Sequence, residues 1–270
     1  MNILITSLGN KANLCRYFRR ALFNEGGGRL FGMDINPIAN GREFVDLFLT
    51  SPLLSDELYL DWFCEQLKLH QIDLVIPSRD EDVAYLASNI DQIHKISSVR
   101  ILVPSSDIVD ICQDKYRFSY WCLDKGFHVP RSVPLSEEVP SLPLLIKPKK
   151  GAGSQGVLKV KTSTEWQALK SELNDTFLVQ EFIDAPEYTV DLFVDLNGVI
   201  KTVVPRRRVA VNHGESIRSE ISLDQNIIEA CTRIATELSL VGHNTIQCFK
   251  ADEGKVVFCE VNLRYGGGFT

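Results

Sequence analysis

The sequence predicts an α/β protein of two domains: a parallel sheet covered by helices over residues 1–110, then an α+β unit over residues 111–270. Three observations carry this. In the first hundred residues, short apolar runs ended by turn residues alternate with segments of helical apolar spacing, the pattern of a parallel sheet with helices on both faces. Beyond Ile108 the apolar runs follow one another directly and are joined by turns, an antiparallel texture. The length of 270 residues suits two compact units rather than one.

Taken in order, Asn2–Ser7, Arg29–Asp34, Asp73–Pro77 and Arg100–Pro104 are short, branched and closed by turn residues, and read as buried strands. Ala12–Asn24, Asp56–His70 and Asp80–Ile93 carry apolar residues three and four apart and read as the intervening helices, with Asp56 and Asp80 as caps or first-turn acids. The boundary falls near residues 105–113. Asp114–Gly126 is then a helix closed by glycine, and the segment HVPRSVP is extended. Leu144–Pro148 and Val157–Lys161 are strands around a glycine-rich turn, and Thr164–Leu173 is a short helix. Phe177–Ile183, Tyr188–Asp195 and Val199–Val204 are strands, the last two joined at Asn197-Gly198. Asp224–Leu238 is a helix, and a final hairpin covers Thr245–Val261.

Composition narrows the function classes. Hydrophobic residues at 44% and charged residues at 24% support a packed core and exclude wholesale disorder. A net charge of −6 argues against nucleic acid or an anionic membrane as the main partner. No apolar run approaches the length that spans a bilayer, and the N-terminus lacks the features of a signal peptide. Seven cysteines, odd in number and without a CxxC pair, sit mostly in apolar stretches and point to a reducing, cytoplasmic setting.

The last hairpin is the most informative segment. With Glu253-Gly254 as its turn, Lys250 faces Val257, Phe249 faces Phe258 and Gln247 faces Glu260. Glu260, Asn262 and Arg264 then project from one face, with Phe249 and Phe258 deeper on the same side, if the strand stays regular. Amide and carboxylate oxygens of this kind suit Mg²⁺ shared with substrate phosphates, with Mn²⁺ as a substitute, and Arg264 would neutralise phosphoryl charge. The bland alternative is a strand end that solvates itself; the opposed Gln247 weighs against it. Lys147-Pro-Lys-Lys-Gly-Ala-Gly-Ser-Gln-Gly156 offers backbone amides and positive charge to phosphates. It is not a Walker loop, because Val157-Leu158 stand where Lys-Ser/Thr is required. Gln180 to Ile183 place backbone groups at a strand end, where they would read an adenine edge, and Glu187 is a carboxylate suited to ribose hydroxyls.

In this order, Asp114-Lys115, K-P-x-x-G-x-G-S-x-G, Q-E-F-I-x-x-x-E and Q…E-x-N-x-R, the motifs resemble the ATP-grasp superfamily. The nearest likeness is to carbamoyl-phosphate-synthase large-subunit-like proteins and carboxylate–amine ligases. The resemblance implies a Rossmann-like domain preceding a two-lobed ATP-grasp domain. By position it assigns Lys115 and Lys147 to the ATP phosphates, and Gly153 and Ser154 to the lid. Gln180, Glu181, Phe182 and Ile183 take the adenine hinge, and Glu187 the ribose. Gln247, Glu260 and Asn262 are assigned to the metal, and Arg264 to the acyl phosphate. Within Pro205-Arg206-Arg207-Arg208, Arg206 and Arg207 are candidates for gripping the carboxylate substrate or phosphate. His213 is a weaker candidate. The implied activity is phosphorylation of a carboxylate by ATP, then joining to an amine with release of ADP and phosphate. The implied partners are small-molecule substrates and a second copy or partner subunit.

Two departures accompany the likeness. The sequence ends soon after the metal strand, where relatives usually continue, which motivates an alternative reading as a nucleotide-binding module, or a split synthase-like subunit, without independent turnover. The first turn, Ser7-Leu-Gly-Asn-Lys, has one glycine rather than G-x-G-x-x-G, which disfavours a nicotinamide dinucleotide there. Asp34 is read as a strand-end cap.

Overall fold

The computed structural model describes residues 1–135, 138–151, 153, 155–212 and 214–266. The chain divides into two compact units. One holds residues 1–109 with Leu240–His243 and the stretch from Leu263; the other holds residues 110–239 with Asn244–Asn262.

The first unit is built from β1 (Asn2–Ile5), α1 (Ala12–Asn24), β2 (Arg29–Asp34), β3 (Leu47–Thr50), α2 (Tyr59–Leu69), β4 (Leu74–Ile76), α3 (Asp80–Ser88), α4 (Ile90–Ile96) and β5 (Arg100–Ile101). Its five strands are parallel in the order β3-β2-β1-β4-β5. Leu4, Ile5, Leu30, Phe31 and Val75 are fully enclosed, as expected for a parallel sheet covered on both faces. The expected helix over Asp80–Ile93 is broken in two, because Asn89 leaves helical geometry and turns its amide back onto the Tyr85 carbonyl at 2.8 Å. The strand β3 had no clear sequence signal.

The loop after β1 is closed by packing. Leu8 is fully buried, and a Cβ placed on Gly41 or Gly32 would lie 2.3 or 2.7 Å from its side chain. Asp34 accepts from the backbone amides of Gly9 at 2.8 Å and Asn36 at 2.9 Å, so it acts as the cap expected of it. Where a dinucleotide fold would offer a glycine cradle, this turn holds a leucine against two glycines.

The helix α5 (Ser106–Gln113) occupies the stretch read as a boundary, and the second unit continues with α6 (Lys115–Asp124), capped by Asp114. A four-stranded antiparallel sheet has the order β6-β9-β7-β8, from β6 (Ser132–Pro134), β7 (Leu144–Pro148), β8 (Leu158–Val160) and β9 (Phe177–Glu181). Val133, Leu144, Ile146, Val160 and Val179 form its core, with Trp166 and Leu169 of α7 (Ser163–Leu169) packed on it. A five-stranded sheet has the order β12-β11-β10-β13-β14. It comprises β10 (Glu187–Val194), β11 (Ile200–Asn212), β12 (Glu215–Ile221), β13 (Gly242–Lys250) and β14 (Val256–Asn262). The helix α8 (Gln225–Glu237) buries Ile227, Cys231, Ile234 and Ala235, and Asp224 caps it.

Two strand expectations are corrected. The run expected to end at Val204 continues to Asn212, because Arg206 and Arg208 find carboxylates on β10 and the ladder tolerates them. The final hairpin has a connection over residues 251–255, longer than the Glu253-Gly254 turn expected, with Glu253 and Gly254 both at positive φ. A register shift between Gln247 and Cys248 compensates. Gln247 therefore pairs with Glu260 as expected, whereas Phe249 pairs with Val257 and Lys250 with Val256, one residue off.

Candidate active site

A cavity of about 420 Å³ lies in the second unit. Its walls come from the glycine-bearing turn after β7, the end of β9, the start of β10, and the β13–β14 pair.

Lys115 opens α6, whose first turn is held by Asp114 Oδ1 accepting from the amides of Tyr116 at 2.9 Å and Arg117 at 3.1 Å. The Lys115 amide donates to the Lys149 carbonyl at 2.8 Å, which ties the helix start to the turn. Its Nζ donates to the Gly151 carbonyl at 2.6 Å and lies 3.7 Å from Glu260. Lys147 is 8% exposed, and burial, its largest influence, lowers the pKa of its ammonium; Cys259 and Glu260 oppose that shift and Lys115 adds to it. Both lysines and Gly153 line the cavity. Ser154 and His213 lie outside the described residues.

The strand β9 pairs as far as Glu181, and the chain then leaves the ladder with Phe182 and Ile183 lining the cavity. Gln180 is buried, donates to Ser132 Oγ at 2.6 Å, and lines the cavity together with Glu181. The Glu181 carboxylate accepts from the Arg131 amide at 3.2 Å, and Lys159 Nζ sits 3.2 Å from the Phe182 ring centroid.

Glu187 begins β10 and lines the cavity. Burial raises its pKa most strongly; Arg208 opposes this and Glu260 reinforces it. Glu260 and Gln247 face the cavity as a cross-strand pair, and Asn262, opposite Thr245, donates to Glu260 Oε1 at 3.2 Å. The register shift turns Phe258 away: it meets Phe127 edge-on, with centroids 5.6 Å apart. Phe249 and Cys259 line the cavity instead, so the expected pairing of Phe249 with Phe258 on one floor is corrected. Burial, above all, raises the pKa of the Cys259 thiol.

Arg206 and Arg207 are not among the residues that line the cavity. Arg206 pairs with Asp191 through both Nε and Nη2 and donates to Ser219 Oγ at 3.3 Å. Arg207 is exposed and pairs across to Tyr188. The strand β14 ends at Asn262, so regularity does not reach Arg264. Arg264 groups with the first unit, where it donates to Asp80 at 2.8 Å and to the Tyr265 carbonyl at 3.2 Å. The arginine of this run that reaches residues lining the cavity is Arg208, which donates to Glu187 at 2.7 Å and Gln247 at 3.1 Å. Its position two residues after Arg206, on a continued strand, was the available signal.

The donor set fits a divalent cation. A carboxylate and two side-chain amides occupy neighbouring positions of one ladder, all offering hard oxygen. The lysines fit a polyphosphate, since two ammonium groups flank the glycine-bearing turn.

A family described as the ATP-grasp domain matches residues 112–268, and one described as the PylC-like N-terminal domain matches residues 3–102. No curated protein matches the sequence. Among solved structures, N5-carboxyaminoimidazole ribonucleotide synthetase bound to ADP superposes with a TM-score of 0.78 at 15% identity, covering 99% of this chain and 71% of that one. The L-amino acid ligase of Bacillus licheniformis gives 0.76 at 17% identity, covering 99% and 68%. Pyruvate carboxylase of Rhizobium etli gives 0.75 at 16% identity, covering 99% of this chain but only 26% of that one. At such identities the likeness is one of fold. The match over residues 112–268, more than half of the chain, shows the family: the chain belongs to the ATP-grasp family.

Proposed function

We propose that the protein is an ATP-dependent ligase that phosphorylates a substrate carboxylate and joins the resulting acyl phosphate to an amine, releasing ADP and phosphate. The observation that carries this is the single cavity wall shared by Lys115, Lys147, Glu187, Gln247 and Glu260, in a chain of the ATP-grasp family. Solved relatives include an amino acid ligase and an ADP-bound synthetase.

Lys115 and Lys147 hold the phosphates, and the segment 151–156 with Gly153 and Ser154 closes over them to exclude water from the acyl phosphate. Phe182 and Ile183 offer backbone groups to the adenine beyond Gln180 and Glu181, and Glu187 accepts from the ribose. Glu260, Asn262 and Gln247 would hold Mg²⁺, or Mn²⁺ in its place, which when bound neutralises charge on the transferring phosphoryl group. Arg264 is assigned to the acyl phosphate by its place in the motif. Arg206, paired with Asp191, and Arg207, which is exposed, are kept as candidates for gripping the carboxylate substrate or phosphate. Positioning and fixed charge carry the rate, because phosphoryl transfer leaves little covalent work to the protein. A homodimer is the proposed assembly and the cytoplasm the proposed compartment, the seven cysteines being free thiols.

A screen of amino acids and small carboxylates for ADP release with Mg-ATP tests the reading. Glu260→Gln should abolish Mg-dependent ADP release while the variant melts as the wild type does. Unchanged turnover in a clean preparation removes Glu260 from the chemistry. No ADP release with any carboxylate and amine pair counts against a ligase.

A further inference from the structure

Arg208 sits on β11 across from Ser219, with a side chain only 5% exposed. Its Nη1 donates to Glu187 Oε1 at 2.7 Å and to Gln247 Oε1 at 3.1 Å, and its Nη2 donates to the Gly214 carbonyl at 2.7 Å. The three acceptors come from the start of β10, the middle of β13, and the turn joining β11 to β12. A planar guanidinium reaches all three from two nitrogens held in fixed directions, a geometry that the single nitrogen of an ammonium does not reproduce. The Nε of Arg208 is buried and has no hydrogen bond among the described residues. A residue kept only to fill space would be apolar and carry no such desolvation cost.

The pattern at Glu187 shows what the arginine does. It takes Oε1, while Oε2 makes no hydrogen bond among the described residues, and the side chain lines the nucleotide cavity. Burial and Glu260 both favour the neutral acid at Glu187, and Arg208 opposes them. A carboxylate pinned by one oxygen and presented by the other is built to accept hydrogen bonds from a ligand.

We infer that Arg208 is a positioning residue that fixes Glu187 as the acceptor for the vicinal hydroxyls of a bound ribonucleotide, and so sets the selectivity of the pocket for ribose over deoxyribose. The inference rests on the nucleotide reading of the cavity given above.

The test is calorimetric binding of Mg-ADP and Mg-2′,3′-dideoxy-ADP to the full chain. The wild type should prefer ADP by about tenfold or more, since a buried acceptor left unpaired is costly. In Arg208→Met the preference should fall to about twofold, with affinity for the dideoxy nucleotide changing less than about threefold. Arg208→Lys should lose the preference as well, and it carries the test should the Met variant fail to fold. Glu187→Gln should show the same loss, and combining it with Arg208→Met should add nothing further. A fall in affinity for both nucleotides by the same factor, with the ratio kept, marks a structural role and overturns the inference. A wild type that binds ADP without preference overturns it too, while leaving the nucleotide reading in place. A wild type that binds neither nucleotide overturns both.

Discussion

Lys147 separates what stabilises the fold from what serves the ligand. Its ammonium is nearly enclosed, and Glu260 lies 3.7 Å from the ammonium of Lys115. Burial lowers the folded-state pKa below the ordinary 10.5, so the unfolded chain binds this proton more readily than the folded one. The resulting penalty is complete at pH values below the folded pKa and fades as pH rises toward 10.5. Replacement by methionine, similar in length, removes the buried charge. Near neutral pH, and without nucleotide, Lys147→Met should gain about 1–2 kcal/mol. At roughly 2–4 °C per kcal/mol for a domain of this size, the melting temperature rises by several degrees. The gain should shrink in the alkaline range. Binding should move the other way, since loss of a charge-assisted contact to phosphate costs about 1.5–3 kcal/mol, or roughly 10- to 150-fold in Mg-ADP affinity. Scanning calorimetry at two pH values and a nucleotide titration measure both effects. A variant that melts lower than wild type without nucleotide, or binds Mg-ADP equally well, would refute the reasoning.

Two further substitutions probe how the site is held. Asp114→Ala removes the acceptor for two amides at the start of α6 and should cost about 1 kcal/mol; the loosened Lys115 should also raise the KM for ATP more than it changes kcat. A normal KM would show that the cap does not position Lys115. Gly41→Ala places a methyl 2.3 Å from a Leu8 side-chain carbon that is itself enclosed, and overpacking of this kind costs about 1–3 kcal/mol. Denaturant titration checks it, and the same glycine change should cost less when made in a Leu8→Ala background, where the clash is gone; a neutral Gly41→Ala would mean the loop yields freely.

Local patterning made much of this architecture readable, and the failures have specific causes. Arg29–Asp34, Ala12–Asn24 and Leu144–Pro148 were legible to the residue because apolar period and turn residues agreed. The strand Leu47–Thr50 was hidden by its brevity, and β11 by its charges: alternation at Arg206 and Arg208 looks solvent-facing until Asp191 and Glu187 are known to lie across the ladder. The same long-range partners explain why Arg206 and Arg207 were favoured over Arg208. Position along the chain cannot say which of three arginines finds a carboxylate inside a cavity. The pairing of Gln247 with Glu260 was correct although the turn was not, because a longer connection and a register shift cancel.

That cancellation has a practical bearing on how such chains diverge. The irregularity at Cys248 and Cys259 behaves as an expansion joint: residues gained or lost between Ala251 and Lys255 can be absorbed below it, while the rungs Thr245–Asn262, Ile246–Val261 and Gln247–Glu260 keep their alignment. The tip of the hairpin is thereby free to drift in length and composition without disturbing the oxygen atoms above it.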